Sequence, residues 1–277
     1  MAVVGINFSA PLAPLLPETT DWTPQEIPLL PPLYSATVTI FDSLLAFEAQ
    51  NNSFCVYNLN TQKTLYNCPG ERDLFGLYED GPYLISQSNG GPRSGADIKI
   101  WNKDSGQLVA CLEGCVSFII SDNLIFGARF LGLKAYSIVV WNKLTGAVIH
   151  VLDNSEISHF LVADDSCFFA GMNDGTIKEW LKQDGSPLAG FQHETPTRVT
   201  AIATFSEYLI SCHENGAIRM WNKKTHALSY ECIFPEEKIR SLEIKEDILI
   251  AQSEKNLHLW NVVNQTHLYS IQNISCY

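Results

Sequence analysis

Two segments of this sequence concentrate groups able to grip an anion. "SNGGPRSGAD" carries Arg93, and "ARFLGLKAYS" carries Arg129 and Lys134 beside Phe130, Leu131, Leu133 and Tyr136. Arg198 and Arg240 stand in two further polar stretches. A guanidinium offers a flat fork of N–H donors that matches a carboxylate or a phosphate, and neighbouring aromatics add contact area. The chemistry these residue types support is recognition of an acidic or phosphorylated segment of a protein or peptide. Catalytic patterns are missing from the sequence. There is no G-x-S-x-G elbow and no Walker loop with its lysine. The glycine-rich stretch at 88–95 precedes no helix that could hold a phosphate, so it reads as a plain loop. Cys111 and Cys115 have C-x3-C spacing without a second pair at zinc spacing, so no metal and no cofactor is expected. The seven histidines are scattered, and His213-Glu214 reads as an exposed turn. The sequence therefore predicts a protein that binds and does not catalyse.

The formal net charge is -12, from 18 basic and 30 acidic residues among 277. Such a surface repels phosphate backbones and anionic lipid alike, which argues against nucleic acid and membrane as partners. No apolar run reaches the ~20 residues that span a bilayer. The first twenty residues carry no Lys or Arg and are broken by Pro11, Pro14 and Pro17, unlike a secretory signal. Eight cysteines lie mostly in apolar runs such as "SFCVY" and "YLISC". Cysteine used as a small core residue points to a reducing, cytoplasmic setting.

The elements that must position the cations come from a repeat. Tyr57, Trp101, Trp141, Trp180, Trp221 and Trp260 are spaced by 44, 40, 39, 41 and 39 residues, and five of the six are followed by Asn. Self-similarity at this period marks a repeat architecture. Each period reads as four short strands. In the fifth, "RVTAIATF", "YLISC", "IRMWN" and "ALSYECIF" are separated by the turns Ser206-Glu207, "HENGA" and "KKTH". Gly106, Gly146 and Gly185, each five residues past the aromatic, suit a hairpin position of positive φ. The aromatics themselves read as core: an alternating strand buries every second side chain.

"AGMNDGTIKEW" and "SCHENGAIRMW" resemble the WD40 repeat, with Asp174 at the family's turn aspartate and Asn215 in the same place one period later. His193, Ser211 and Trp221 match the His, Ser/Thr and Trp positions whose side chains tie one family blade together. Other periods depart: Asn51, Gly95, Ala135 and Glu254 replace the turn aspartate, and the Gly-His pair is absent. The resemblance implies an all-β fold, a β-propeller of six four-stranded blades. The repeats run at about 34–70, 71–113, 114–153, 154–193, 194–235 and 236–277. Residues 1–33 hold seven of the thirteen prolines and read as an extended N-terminal arm.

The same resemblance puts the turns between second and third strands on one rim with the links between blades. Two of those turns, 88–97 and 128–137, are enlarged, and Arg198 and Arg240 fall in the links. The expected function is a scaffold that presents this rim, through Arg93, Arg129, Phe130, Leu131, Lys134, Tyr136, Arg198 and Arg240, to a protein partner. Besides a purely structural subunit whose flat face is buried in a larger assembly, two alternatives stand. One is substrate recognition for a ubiquitin ligase, although residues 1–33 carry no F-box. The other is an enzyme using the central channel, for which Glu243 and His159 are the few ionisable candidates on innermost strands.

Overall fold

A computed structural model describes residues 38–49, 53–69, 74–89, 96–132, 135–153, 157–235 and 237–272. The expected N-terminal arm at 1–33 lies outside them. The described residues form 23 strands and no helix. The first sheet contains β1 (Val38–Phe41), β2 (Leu44–Ala49), β3 (Ser53–Asn58) and β4 (Lys63–Pro69). The second contains β5 (Leu74–Asp80), β6 (Tyr83–Asn89), β7 (Ala96–Asn102) and β8 (Leu108–Leu112). The third contains β9 (Cys115–Ser121), β10 (Leu124–Gly132), β11 (Ala135–Asn142) and β12 (Val148–Asp153). The fourth contains β13 (Ile157–Ala163), β14 (Cys167–Met172) and β15 (Ile177–Leu181). The fifth contains β16 (Val199–Phe205), β17 (Tyr208–His213), β18 (Ala217–Asn222) and β19 (Leu228–Ile233). The sixth contains β20 (Ile239–Lys245), β21 (Ile248–Ser253), β22 (Asn256–Asn261) and β23 (Thr266–Gln272).

Each sheet is an antiparallel meander in chain order, and six such sheets are the all-β organisation of a six-bladed propeller. The fourth sheet has three strands where four were expected. Its fourth place is filled by 186–191, which meets β15 through isolated bridges at Phe191 and Pro187. Pro187 has no N–H to donate and Gly190 has φ +68, so this segment cannot run as a regular strand. The chain divides into two compact units, one built on the first two sheets and the other on the last four.

The aromatic of each period sits on the third strand and is buried. Trp101 packs against first-sheet residues Phe41, Ala46, Phe54 and Val56. Trp180 packs against Phe126, Ala128 and Val140 of the third sheet, Trp221 against Cys167 and Phe169 of the fourth, and Trp260 against Ile210 and Met220 of the fifth. Every one of these rings fills space against the preceding sheet. A buried ring of this size typically contributes about 3–5 kcal/mol on truncation to Ala. Opposite Tyr57, Trp141, Trp221 and Trp260 the outer strand slips by one residue. Such a bulge adds twist and pushes its extra residue outward, and three of the four, Leu65, Ile149 and Leu268, are exposed aliphatics.

The Asn after the aromatic has a local job. The Oδ1 atoms of Asn58, Asn102, Asn142 and Asn222 each accept backbone N–H groups two and three residues on, at 2.8–3.1 Å. This Asx geometry opens the hairpin into the outer strand. Five residues past the aromatic, φ is positive in all six periods: Gln62 (54°), Gly106 (68°), Gly146 (68°), Gly185 (72°), His226 (57°) and Gln265 (55°). The glycines thus mark a conformation that every period adopts, with or without glycine.

Candidate binding rim

The enlarged turn at 128–137 is a two-stranded extension of the third sheet. β10 runs nine residues to Gly132, and β11 starts at Ala135. Phe130 faces Tyr136 across the hairpin, ring centroids 5.5 Å apart. Tyr136 also packs against the apolar cluster of Phe126, Ile138 and Val140. Those two rings therefore stiffen the hairpin and bind it to the core. Leu131, between them in sequence, is 55% exposed. Arg129 is half-buried, opposite Cys115 on β9 and Ser137 on β11. Arg93 and Lys134 lie outside the described residues.

Arg198 and Arg240 are exposed at the starts of the fifth and sixth sheets. Both meet acid nearby. Arg240 is ion-paired with Glu254. Glu214 pairs with Lys238 at 3.0 Å. That bond, and more weakly the charge of Arg198, holds the Glu214 carboxyl below its ordinary range. The rim cations of these two sheets are thus partly neutralised, and the apolar, half-buried cation site is the β10–β11 hairpin.

Opposite the rim, a lysine two residues past the tryptophan reaches back to the preceding sheet. Lys182 donates to Ser121 at the end of β9, and Lys223 donates to Asp164 between β13 and β14 at 2.6 Å. Lys103 lies 3.9 Å from Asp42 in the β1–β2 turn and 2.6 Å from Glu79 on its own sheet. Burial pushes the Asp164 carboxyl up, but Lys223 and the N–H groups of Ser166 and Cys167 outweigh it and hold the carboxyl low. The W-x-K spelling, which sequence reading passed over although it recurs in four periods, makes this tie at Lys103, Lys182 and Lys223, whereas Lys143 donates to the Asp122 carbonyl of its own sheet at 2.7 Å.

The residues matched to the family network divide. Trp221 Nε1 donates to Ser211 Oγ at 2.9 Å. Ser211 then meets His213 Nε2 at 2.9 Å, and His213 Nδ1 lies 2.7 Å from the carbonyl of Thr197. His213 is fully buried on β17, which corrects its reading as an exposed turn residue. Burial is the main reason its pKa falls to about 4. His193 stands elsewhere. Its Nδ1 meets Thr195, its ring is edge-on to Trp221 at 6.3 Å, and its Nε2 is 3.8 Å from Glu231. The carboxylate of Glu231 instead accepts from Arg219 Nε at 2.7 Å, and Arg219 is 1% exposed. Asp174 accepts from Thr176 N–H and Oγ1 at 3.0 and 2.7 Å, and Asn215 accepts from Ala217 N–H at 3.1 Å. Asn thus does the turn aspartate's work. The sequence signal for Arg219 was a lone charge in the apolar run "AIRMW"; the structure supplies its partner, Glu231, directly opposite on β19.

Glu243 is exposed on β20, and the side chain of His159 lies outside the described residues. Among the described residues no group of three or more His, Cys, Asp or Glu could hold a metal ion. No helix of the structure is long and apolar enough to cross a membrane.

No family model matches the chain. Over 96 residues it is 30% identical to the target of rapamycin complex subunit wat1 of Schizosaccharomyces pombe, covering 33% of this chain and 30% of that protein. The fold is shared with the computationally designed Ika8 protein (TM-score 0.65, 21% identity, 81% of this chain and 70% of that one). It is shared also with BamB from Moraxella catarrhalis (TM-score 0.62, 12% identity, 85% of this chain and 75% of that one). The repeat, the sheets and these likenesses fit a WD40-like β-propeller fold.

Proposed function

We propose that the chain is a non-catalytic scaffold of the cytoplasm that presents the β10–β11 hairpin side of its rim to a protein partner. The observation that carries this reading is the likeness, over about a third of the chain, to a subunit of a multi-protein complex. The hairpin supports it. Phe130 and Tyr136 hold the hairpin rigid, and they leave Leu131 and Arg129 at its outer part. A rigid apolar anchor beside a guanidinium has the composition of an interface hot spot. An acidic or phosphorylated segment suits the arginines, with Arg129 ahead of Arg198 and Arg240, whose surroundings already supply carboxylates. Seven free thiols among the described residues, five of them buried, fit a reducing compartment.

The test is affinity purification from the native cell extract, read by mass spectrometry. Wild type is compared with Leu131→Asp and with Arg93, Arg129, Arg198 and Arg240 changed together to Ala. Loss of a shared partner set in both variants supports the rim. Partners retained by both move the interaction to another surface.

A further inference from the structure

The sixth sheet holds a relay of hydrogen bonds that the rim does not use. His258 on β22 is 1% exposed and stands directly opposite Ser270 on the outer strand β23. Its Nδ1 is 2.7 Å from Ser270 Oγ, and its Nε2 is 2.8 Å from Glu237 Oε2. Glu237 is fixed in turn by Ser253 Oγ at 2.7 Å and Asn256 Nδ2 at 2.8 Å. Burial pushes the Glu237 carboxyl up, but the hydrogen bonds from His258, Ser253 and Asn256 outweigh it, so this carboxylate is ionised. An ionised acceptor sets the tautomer. The His258 proton sits on Nε2, facing Glu237, and the free lone pair on Nδ1 accepts the O–H of Ser270. A second histidine completes the site: His267 Nε2 lies 3.1 Å from the same Ser270 oxygen. With the Ser270 proton given to His258, His267 is the donor in that contact. Ser270 and His267 are both exposed, while Phe234 and Trp260 back the two imidazoles at 4.1–5.8 Å between ring centroids.

Nucleophile, base and orienting carboxylate in hydrogen-bond reach of one another are the arrangement that activates a hydroxyl. We propose that Ser270 is a reactive serine that accepts an acyl group from small activated esters, with His258 as base and Glu237 as its positioning residue. Ser270 Oγ attacks the ester carbonyl, forming the new C–O bond as its proton passes to His258 Nδ1. The bond to the leaving alcohol then breaks, and that oxygen takes its proton from the His258 imidazolium at Nδ1. The products are acyl-Ser270 and the free alcohol. Water releases the acyl group by the same two proton transfers. This site stands on the sixth sheet, apart from the rim: labelling at Ser270 replaces only the non-catalytic part of the proposed function, and loss of partners in the rim variants tests the scaffold part separately.

The experiment treats the full chain with a fluorophosphonate probe and with p-nitrophenyl acetate, and maps the modified peptide by mass spectrometry. Labelling at Ser270 is expected, absent in Ser270→Ala and slowed roughly 100-fold in His258→Gln, the usual scale for loss of a general base. Glu237→Gln is expected to slow it roughly tenfold or more. A folded wild type that takes no label at Ser270, or a folded His258→Gln that labels at the wild-type rate, overturns the proposal and leaves the relay as a tie between strands. Should the His258 variant fail to fold, Ser270→Cys decides. Its thiol is expected to alkylate with iodoacetamide about tenfold faster than the exposed Cys111 of the same chain, through the flanking imidazoles. Equal rates overturn the proposal.

Discussion

The fifth and sixth sheets of one compact unit solve the same problem in opposite directions. Both place a tryptophan on the third strand opposite a leucine of the second: Trp221 with Leu209, and Trp260 with Leu249. Two residues past that leucine stand Ser211 in one and Ala251 in the other. In the fifth sheet the indole N–H therefore enters a buried polar chain that ends on the backbone of Thr197, just before β16. In the sixth, Trp260 Nε1 is buried without a hydrogen-bond partner, and the polar chain runs instead from Glu237 through His258 out to β23. Packing of the ring is common to both, whereas hydrogen bonding of its N–H is not. Hydrophobic contact with the preceding sheet is thus the constant, and the polar network is an addition that sheets acquire separately. The other sheets agree: Trp101 bonds Ser86 at 2.8 Å, while Ala170 and Gly127 occupy that place beside Trp180 and Trp141. At Gly127 even a Cβ would lie 2.7 Å from the Ser117 carbonyl, so no serine fits there.

The comparison breaks hardest at Ser211. Ser211→Ala strands two buried groups, Trp221 Nε1 and His213 Nε2, and is expected to cost about 4 kcal/mol. Thermal unfolding followed by circular dichroism should show a fall in Tm of about 10 °C. Acid tests the same network. His213 has a folded pKa of about 4 against 6.5 for a free imidazole. A depressed histidine binds fewer protons folded than unfolded between these values, so stability is full above pH 6.5 and declines as pH falls toward 4. The loss is expected to reach about 3 kcal/mol, and denaturant titrations from pH 7 to 4 should show a weaker slope in His213→Gln.

Two smaller changes sharpen the contrast. Ala251→Ser supplies the partner that Trp260 lacks and is expected to gain about 1 kcal/mol, read as a higher urea midpoint at constant slope. A neutral or negative effect would show that the two sheets differ in more than this oxygen. Gln265 stands at φ 55, where three sister periods carry glycine. Gln265→Gly relieves the left-handed conformation at some cost in chain entropy, for an expected net gain of about 0.5 kcal/mol.

Much of the architecture was legible because burial repeats. The comb of aromatics located the third strand of every sheet, and the glycines five residues on marked a turn of positive φ that the structure extends to Gln62, His226 and Gln265. The side-chain networks were not legible in the same way. His193 and His213 are both histidines near a strand of the fifth period, and nothing in their spacing says which one reaches Ser211. That depends on register: His213 stands two residues past Ser211 on one strand, so both side chains emerge on one face. The segment at 128–137 read as an enlarged turn. Cross-strand pairing of Phe130 with Tyr136 turned it into strand.

What the sequence determined by itself is whatever repeats with the chain: strand, turn, buried aromatic, and the Asn that in four periods opens the outer hairpin through the N–H groups two and three residues on. These need only local geometry and a two-residue alternation. The tertiary structure alone decided which polar groups meet. Lys223 with Asp164, Arg219 with Glu231, and His258 with Glu237 and Ser270 are separated by 12 to 59 residues in the chain. A buried polar group must find its partner wherever packing places one.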